Sequence, residues 1–273
     1  MRRQLAPWRF VPLELCEPRG PVDRQGHIGV HPQKQPGLCY FGVVVPASRL
    51  TAPRLRGLAD ISQRHGSGTL RLTVWQNLLI SAIPEAQVAA ATAEIEALGL
   101  VTTASAVRAG LIACTGNAGC KFSLSDTKRH ALEIADHLDA RIDLDQPLNI
   151  HLTGCPNSCA QHYVGDLGLL AAKVDAGDDN EVEGYHLIAG GGSGSDLAFG
   201  REICRDIPAD DLPRRLEMGL AAYLARRQPS ESFHTFASRH SVEELAALFG
   251  PEPIGNGALS APESEEAGTG AGR

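Results

Sequence analysis

A chain of 273 residues that is 43% apolar and 21% charged can bury a core of its own, which describes a globular protein and excludes a small disulfide scaffold. Its net charge of −7 argues against nucleic-acid binding, and its seven cysteines, an odd number thinly spread, suit a reducing compartment. There is no apolar run of about twenty residues, and "MRRQLAPWRFVPLELCEPRG" lacks the apolar stretch of a signal peptide, so the chain reads as cytoplasmic with no membrane partner.

Residues 1–28 are rich in Pro and Arg without periodicity and read as an N-terminal arm or linker. "LCYFGVVV" from Leu38 is a buried strand, and "TAPRLRGLADISQRHG" is a helix from a Thr51 N-cap to Gly66. "LRLTVWQNLLI" alternates Leu70, Leu72 and Val74 against Arg71, Thr73 and Trp75, the pattern of one strand. "PEAQVAAATAEIEALG" is then a helix opened by Pro84 and closed by Gly99, which completes a small α+β lobe ending near Ala104. A second block over 105–249 starts with "RAGLIACTGNAGC" and a helix "SDTKRHALEIADHLD" capped by Ser125. It continues through strands in "PLNIHLTGC", "AQHYVGDLGLLAAKV" and "GYHLIAGGG" to helices in "DLPRRLEMGLAAYLARR" and "SVEELAALF". Arg214, Arg215, Arg226 and Arg227 read as a solvated helix face. The stretch 250–273 offers almost nothing to bury and is expected to be a disordered tail.

Four cysteines carry the chemistry. Cys114 and Cys120 bracket "CTGNAGC", and Cys155 and Cys159 bracket "CPNSC", each pair in a loop. Soft sulfur ligands select zinc, copper(I) or an iron-sulfur cluster. Structural zinc sites favour C-x2–4-C knuckles, whereas the gaps here are five and three. A four-iron cluster, with irons at separate corners, suits unequal gaps, so the spacing favours it while leaving zinc open. Cys16, Cys39 and Cys204 have no partner spacing and read as small buried hydrophobes.

The double motif, as "CTGNAGCKFSLSDTK" and "HLTGCPNSCAQHYVGDLGLL", resembles the nitrite and sulfite reductase family, and within it most nearly the ferredoxin-dependent nitrite reductases. The resemblance runs back through "GVHPQKQPGLCYFGVVVPASRLT" and "RLTVWQNLLI" and forward to about Phe249. It implies a ferredoxin-like half-domain over 29–104 followed by an α/β sirohaem- and [4Fe-4S]-binding domain over 105–249. The resemblance also implies that Cys114, Cys120, Cys155 and Cys159 hold the cluster, that Cys159 bridges to the sirohaem iron, and that Asn157 lies against the macrocycle. The implied reaction is six-electron reduction of nitrite to ammonia, or of sulfite, with an electron donor such as ferredoxin.

Sirohaem carries many carboxylates, and Lys34, Arg71, Lys121 and Lys128 are the candidate cations, with Gly190, Gly191 and Gly192 allowing close backbone approach. Gln76 and Asn77 either face the cofactor or cap a turn. Gly119 stands where the family often has an aromatic, and Ala171 where it often has glycine. Family members are internally duplicated, and only their second half is matched, so residues gripping the anion are expected on a separate first-half chain or through self-association. Two alternatives stand beside this reading: an enzyme resembling precorrin-3B synthase of cobalamin synthesis, and a non-catalytic iron-sulfur electron carrier.

Overall fold

The structure is a computed structural model that describes residues 25–250 apart from 178, 179 and 195. The expectations for residues 1–24, for Cys16 and for the tail beyond 250 fall outside the described residues.

The first lobe is an antiparallel sheet in the order β1-β2-β4-β3, built from Gly29–Pro32 (β1), Leu38–Val43 (β2), Leu70–Leu72 (β3) and Leu78–Pro84 (β4). Helix α1 (Ala52–His65) begins where Thr51 Oγ1 accepts the Arg54 amide and stops at Gly66. It lays Leu58 and Ile61 on Phe41, Val43, Ile80 and Ile83, joined by Ala91 and Ile95 of α2 (Val88–Ala97). Each such aliphatic side chain contributes about 1.5–3 kcal/mol by leaving water. Gly99, at φ +66, turns the chain out of α2 in a conformation that disfavours side chains.

"LRLTVWQNLLI" is a hairpin rather than a single strand. The chain reverses over Thr73–Asn77, where the Thr73 amide donates to Asn77 O (2.9 Å) and the Asn77 amide to Thr73 Oγ1 (3.0 Å). The alternation misled because its outer members bury nothing, Leu72 being 85% and Val74 86% exposed. Edge strand β1 also escaped the pattern, since its residues are only half-buried or exposed.

The second lobe is a five-stranded sheet, β5 (Leu111–Ala113), β6 (Ile150–Thr153), β7 (Leu167–Asp175), β8 (Glu181–Ala189) and β9 (Arg201–Pro208), neighbours in that order. The pairs β5–β6 and β6–β7 are parallel, and β7–β8 and β8–β9 antiparallel. Helices α4 (Thr127–Asp139) and α5 (Leu212–Arg226) pack on this sheet, with short helices α3 (Ala106–Ala109), α6 (Phe233–Ser238) and α7 (Val242–Leu248) completing the α+β fold. The α4 N-cap is Asp126, whose side chain accepts from the Arg129 amide; Ser125, the expected cap, is buried and donates to Gly184 O (3.2 Å). Strand β9 and helix α6 had no sequence signal: Arg201, Glu202, Arg205 and Asp206 break the strand's alternation, and α6 is a brief turn burying Phe233 and Phe236.

Helix α4 also carries a buried histidine. Arg129 donates to His130 Nε2 (2.7 Å), which leaves Nδ1–H to donate to the Tyr185 hydroxyl (2.9 Å). Burial first, and the Arg129 charge second, hold the His130 pKa below the ordinary 6.5. The neutral form is therefore favoured on folding, so this stability is fully present above pH 6.5 and is lost as pH falls through the lower folded value. The apo chain should melt at falling temperature as pH drops below 6.5, and His130→Gln should flatten the dependence; an unchanged slope would refute it.

Candidate metal centre

Strands β5 and β6 are adjacent and parallel, with Leu111 opposite Ile150 and Ala113 opposite Leu152, so the chain leaves both at the same end of the sheet. Cys114 is the residue directly after β5, and its amide continues the ladder to Leu152 O (3.0 Å). Cys155 follows β6 by one residue, Gly154, whose amide donates to Cys114 Sγ (3.2 Å). The two cysteine loops are thus hydrogen-bonded through a sulfur, and again through Leu124 N to Gly154 O (2.8 Å). Thr127 Oγ1 donates to Cys114 O (2.9 Å) and ties the first loop to the start of α4.

Each loop is folded back on itself. The Cys120 amide donates to Gly116 O (2.9 Å), Gly116 standing at φ +73 where an added Cβ would meet the Thr127 amide nitrogen at 2.9 Å. In the second loop Ser158 N donates to Cys155 O (3.1 Å) and Gln161 N to Ser158 O (2.9 Å), with Ser158 itself left-handed at φ 56. Cys155 is buried, Cys114 and Cys120 are half-buried and Cys159 is exposed. Gly154 cannot be enlarged, because a Cβ there would lie 1.9 Å from Ser123 Oγ and 3.3 Å from Cys114 Sγ. Gly154→Ala is expected to destabilise the apo chain by about 1–3 kcal/mol, as overpacking does, and to part the two loops; an unshifted thermal melt would refute it.

Among the described residues, no group of three or more His, Cys, Asp or Glu converges closely enough for a single metal ion. Four cysteines on the two loops that leave β5 and β6 at one end of the sheet are the soft donor type that an iron-sulfur cluster takes.

Cys114 and Cys159 share the wall of a cavity of about 490 Å³ between the lobes, faced on the other side by Val45, Ser48, Leu72 and Gln76. A larger cavity, about 680 Å³, lies between α3 and the loop after α4, and none of the four cysteines lines it. Among the described residues lining the cysteine cavity, Lys128 is the one charged side chain. Its Nζ already donates to Ala47 O (2.6 Å), Ser48 Oγ (2.7 Å) and Ala113 O (3.2 Å), so it serves the lobe interface and not a cofactor carboxylate as expected from the sequence.

The other expected cations do not gather here. Lys34 is exposed in the β1–β2 loop, beside Leu38 and thus at the opposite end of β2 from this cavity. Arg71 is exposed on edge strand β3, and Lys121 lies 5.0 Å from the ring centre of Phe122. Asn157 is exposed on the second cysteine loop. Gly191 and Gly192 serve packing within the chain, since added Cβ atoms would meet Gly165 O at 2.3 Å and Asp196 O at 1.9 Å. Gln76 combines both roles considered for it: it lies in the hairpin turn and lines the cavity. Ser48 and Leu72 also line the cavity, and nothing in the sequence marked them.

Residues 31–98 match the nitrite/sulfite reductase ferredoxin-like half domain, and residues 104–253, more than half of the chain, match the nitrite and sulphite reductase 4Fe-4S domain. The chain belongs to the nitrite and sulfite reductase family. A ferredoxin–nitrite reductase of Synechococcus elongatus is 41% identical over 191 residues, which is 70% of this chain and 37% of that protein. A sulfite reductase [ferredoxin] of Mycolicibacterium paratuberculosis is 34% identical over 225 residues, 80% of this chain and 40% of that protein. The solved structure of the Mycobacterium tuberculosis NirA protein superposes with a TM-score of 0.80 at 32% identity, covering 89% of this chain and 46% of that one. The chain therefore spans about two fifths of the length of the curated relatives it matches. Within the family's two matched domains, the four cysteines all belong to the 4Fe-4S domain, and the 490 Å³ cavity lies where that domain meets the half-domain.

Proposed function

We propose that this chain is the cluster-bearing part of a nitrite or sulfite reductase, with Cys114, Cys120, Cys155 and Cys159 holding a [4Fe-4S] cluster and Cys159 facing a sirohaem in the cavity between the lobes. Together these groups supply single electrons for the six-electron reduction of nitrite to ammonia, or of sulfite to sulfide, and a ferredoxin is the donor. The observation that carries this reading is that Cys114 and Cys159, from separate loops, open onto the same cavity, while Cys155 is buried.

The chain's own residues then have definite tasks. The Gly154 N–H aimed at Cys114 Sγ stabilises negative charge on that sulfur, one of the levers that set a cluster's potential. Val45 and Leu50 give the cavity an apolar wall that keeps water from that side and strengthens charge interactions beside it, with Leu72 at its exposed rim. Among the described residues of the walls the one cation, Lys128, is already engaged, so cations for a polycarboxylate macrocycle and the anion-binding groups come from a first-half polypeptide; the division of labour falls near residue 104, with 29–104 as half-domain and 105–249 as cluster domain.

The absorption and electron paramagnetic resonance spectra of protein purified anaerobically from a sirohaem-producing host test the reading. A cluster signal coupled to a haem signal is expected. A cluster alone would move the assignment to electron transfer, and neither would overturn it.

A further inference from the structure

Lys128 is only 9% exposed although it lies beside a cavity, and nothing in the proposed chemistry uses it. Its three contacts, to Ala47 O, Ser48 Oγ and Ala113 O, need three N–H donors at once, and only the charged ammonium has three. Ser48 Oγ, accepting from Lys128, donates its own O–H to Gln76 Oε1 (2.6 Å), and the same oxygen accepts the Ala113 amide (3.2 Å). Strand β5 is the edge of its sheet, so the N–H and C=O of Ala113 have no strand partner on that side. Gln76 takes the first and Lys128 the second, immediately before Cys114.

The half-domain residues in this network are held in an unusual backbone state. Ala47, Ser48 and Gln76 have φ values of 43°, 55° and 60°, the left-handed region that costs free energy for residues other than glycine. Two separate turns of one lobe are thus bent to meet the other, Ala47 and Ser48 at Lys128 and Gln76 at Ala113. Lys128 Nζ stands 3.2 Å from the carbonyl oxygen of Ala113, the residue before Cys114, and Lys128 and Cys114 line the same cavity, so the ammonium charge sits next to that cysteine.

We propose that Lys128 is a positioning residue that clamps the turns at Ala47–Ser48 and Gln76 onto the free edge of β5 and sets a fixed positive charge beside Cys114 that favours the reduced cluster. The proposal rests on the reading of the four cysteines as cluster ligands. Reduction adds one electron to the cluster, and a nearby cation held by protein oxygens stabilises that added charge without moving.

The test compares wild type, Lys128→Met, Lys128→Arg and Ser48→Ala in the full chain. After anaerobic reconstitution, a spectroelectrochemical titration should place the Lys128→Met cluster lower, with about a tenfold smaller ratio of reduced to oxidised cluster at a fixed potential, or about 59 mV for one electron. Lys128→Arg keeps the charge and should titrate with the wild type, as should Ser48→Ala. In the apo chain, hydrogen exchange at the Ala113 amide should be roughly tenfold faster in both Lys128→Met and Ser48→Ala. An unchanged potential in a cluster-loaded Lys128→Met protein overturns the electrostatic role, and unchanged exchange at Ala113 overturns the clamp. Should Lys128→Met hold no cluster, Lys128→Arg decides: a cluster at the wild-type potential supports the role of charge, and loss of the cluster there as well overturns it. A wild-type chain that takes up no cluster defeats the reading of the cysteines, and with it the electrostatic role, while the apo exchange result still decides the clamp.

Discussion

Cys159→Ser is expected to abolish the iron-sulfur absorption of the anaerobically reconstituted chain and leave the apo protein's melting temperature unchanged. The two readouts separate because Cys159 is exposed in the structure: its thiol packs against little, and a surface substitution of this kind changes stability by only about 0.5 kcal/mol or less. As a proposed ligand facing the cavity, it would nonetheless serve both metals. Cys39→Ser and Cys204→Ser should behave in the opposite way. Both sulfurs are buried, at 7% and 2% exposure, far from the two motif loops in sequence, so a hydroxyl in their place costs about 1–3 kcal/mol of stability and leaves the cluster intact. Iron and acid-labile sulfide per chain, measured beside the melts, check all three. A Cys39→Ser protein without iron beside a Cys159→Ser protein with its full complement would remove the ligand assignment.

What could be read from the sequence follows from what each signal measures. Helix α1 was legible from Thr51 to Gly66 because its cap, its N-terminal proline and its apolar spacing are all local and all agree. The β3–β4 hairpin was not, because alternation reports which side chains point the same way and not whether that side is buried; Leu72 and Val74 alternate correctly and still face solvent. Ser125 and Asp126 are both good caps, and the choice between them was made by tertiary structure, since the Ser125 hydroxyl is taken by Gly184 O across the sheet.

The site divides along the same line. Cysteine spacing is local chemistry, so the four thiols and their positions after strands were visible in "CTGNAGC" and "CPNSC". The lysine was visible as a cation, yet its use was not: a side chain cannot be assigned to a carboxylate or to three carbonyl and hydroxyl oxygens until the fold shows which lies nearby. Lys34 and Gly191 show the same limit, since only the fold reveals that one stands at the end of β2 away from the cavity and the other presses onto Gly165 O. Ser48 had no signal of any kind, its role depending on a left-handed turn and on a neighbour eighty residues away.

The chain alone is expected to reduce nitrite with reduced viologen on the order of 10²–10³ times more slowly than the chain supplied with a polypeptide matching the remaining part of its relatives, the factor that losing one anion-stabilising donor typically produces. The argument starts from charge. Nitrite and sulfite are anions, the macrocycle proposed for this cavity carries carboxylates, and the charged residue in the cavity lining, Lys128, has its three N–H groups already given to protein oxygens. Converging cations must then arrive from outside this lining. The surface next to the cavity is suited to a partner: β3 is the edge strand of its sheet, and Leu72 on it and Val74 in the turn that follows stand 85% and 86% exposed. The relatives, of which this chain spans about two fifths, have further chain to place there. Complementation should therefore raise turnover, and it should also shield Leu72 and Val74, so that Leu72→Asp weakens the association without removing the cluster. Rapid turnover by the unsupplemented monomer, unaltered by the added polypeptide, would defeat the prediction and place the anion-binding groups among residues of this chain that now face solvent.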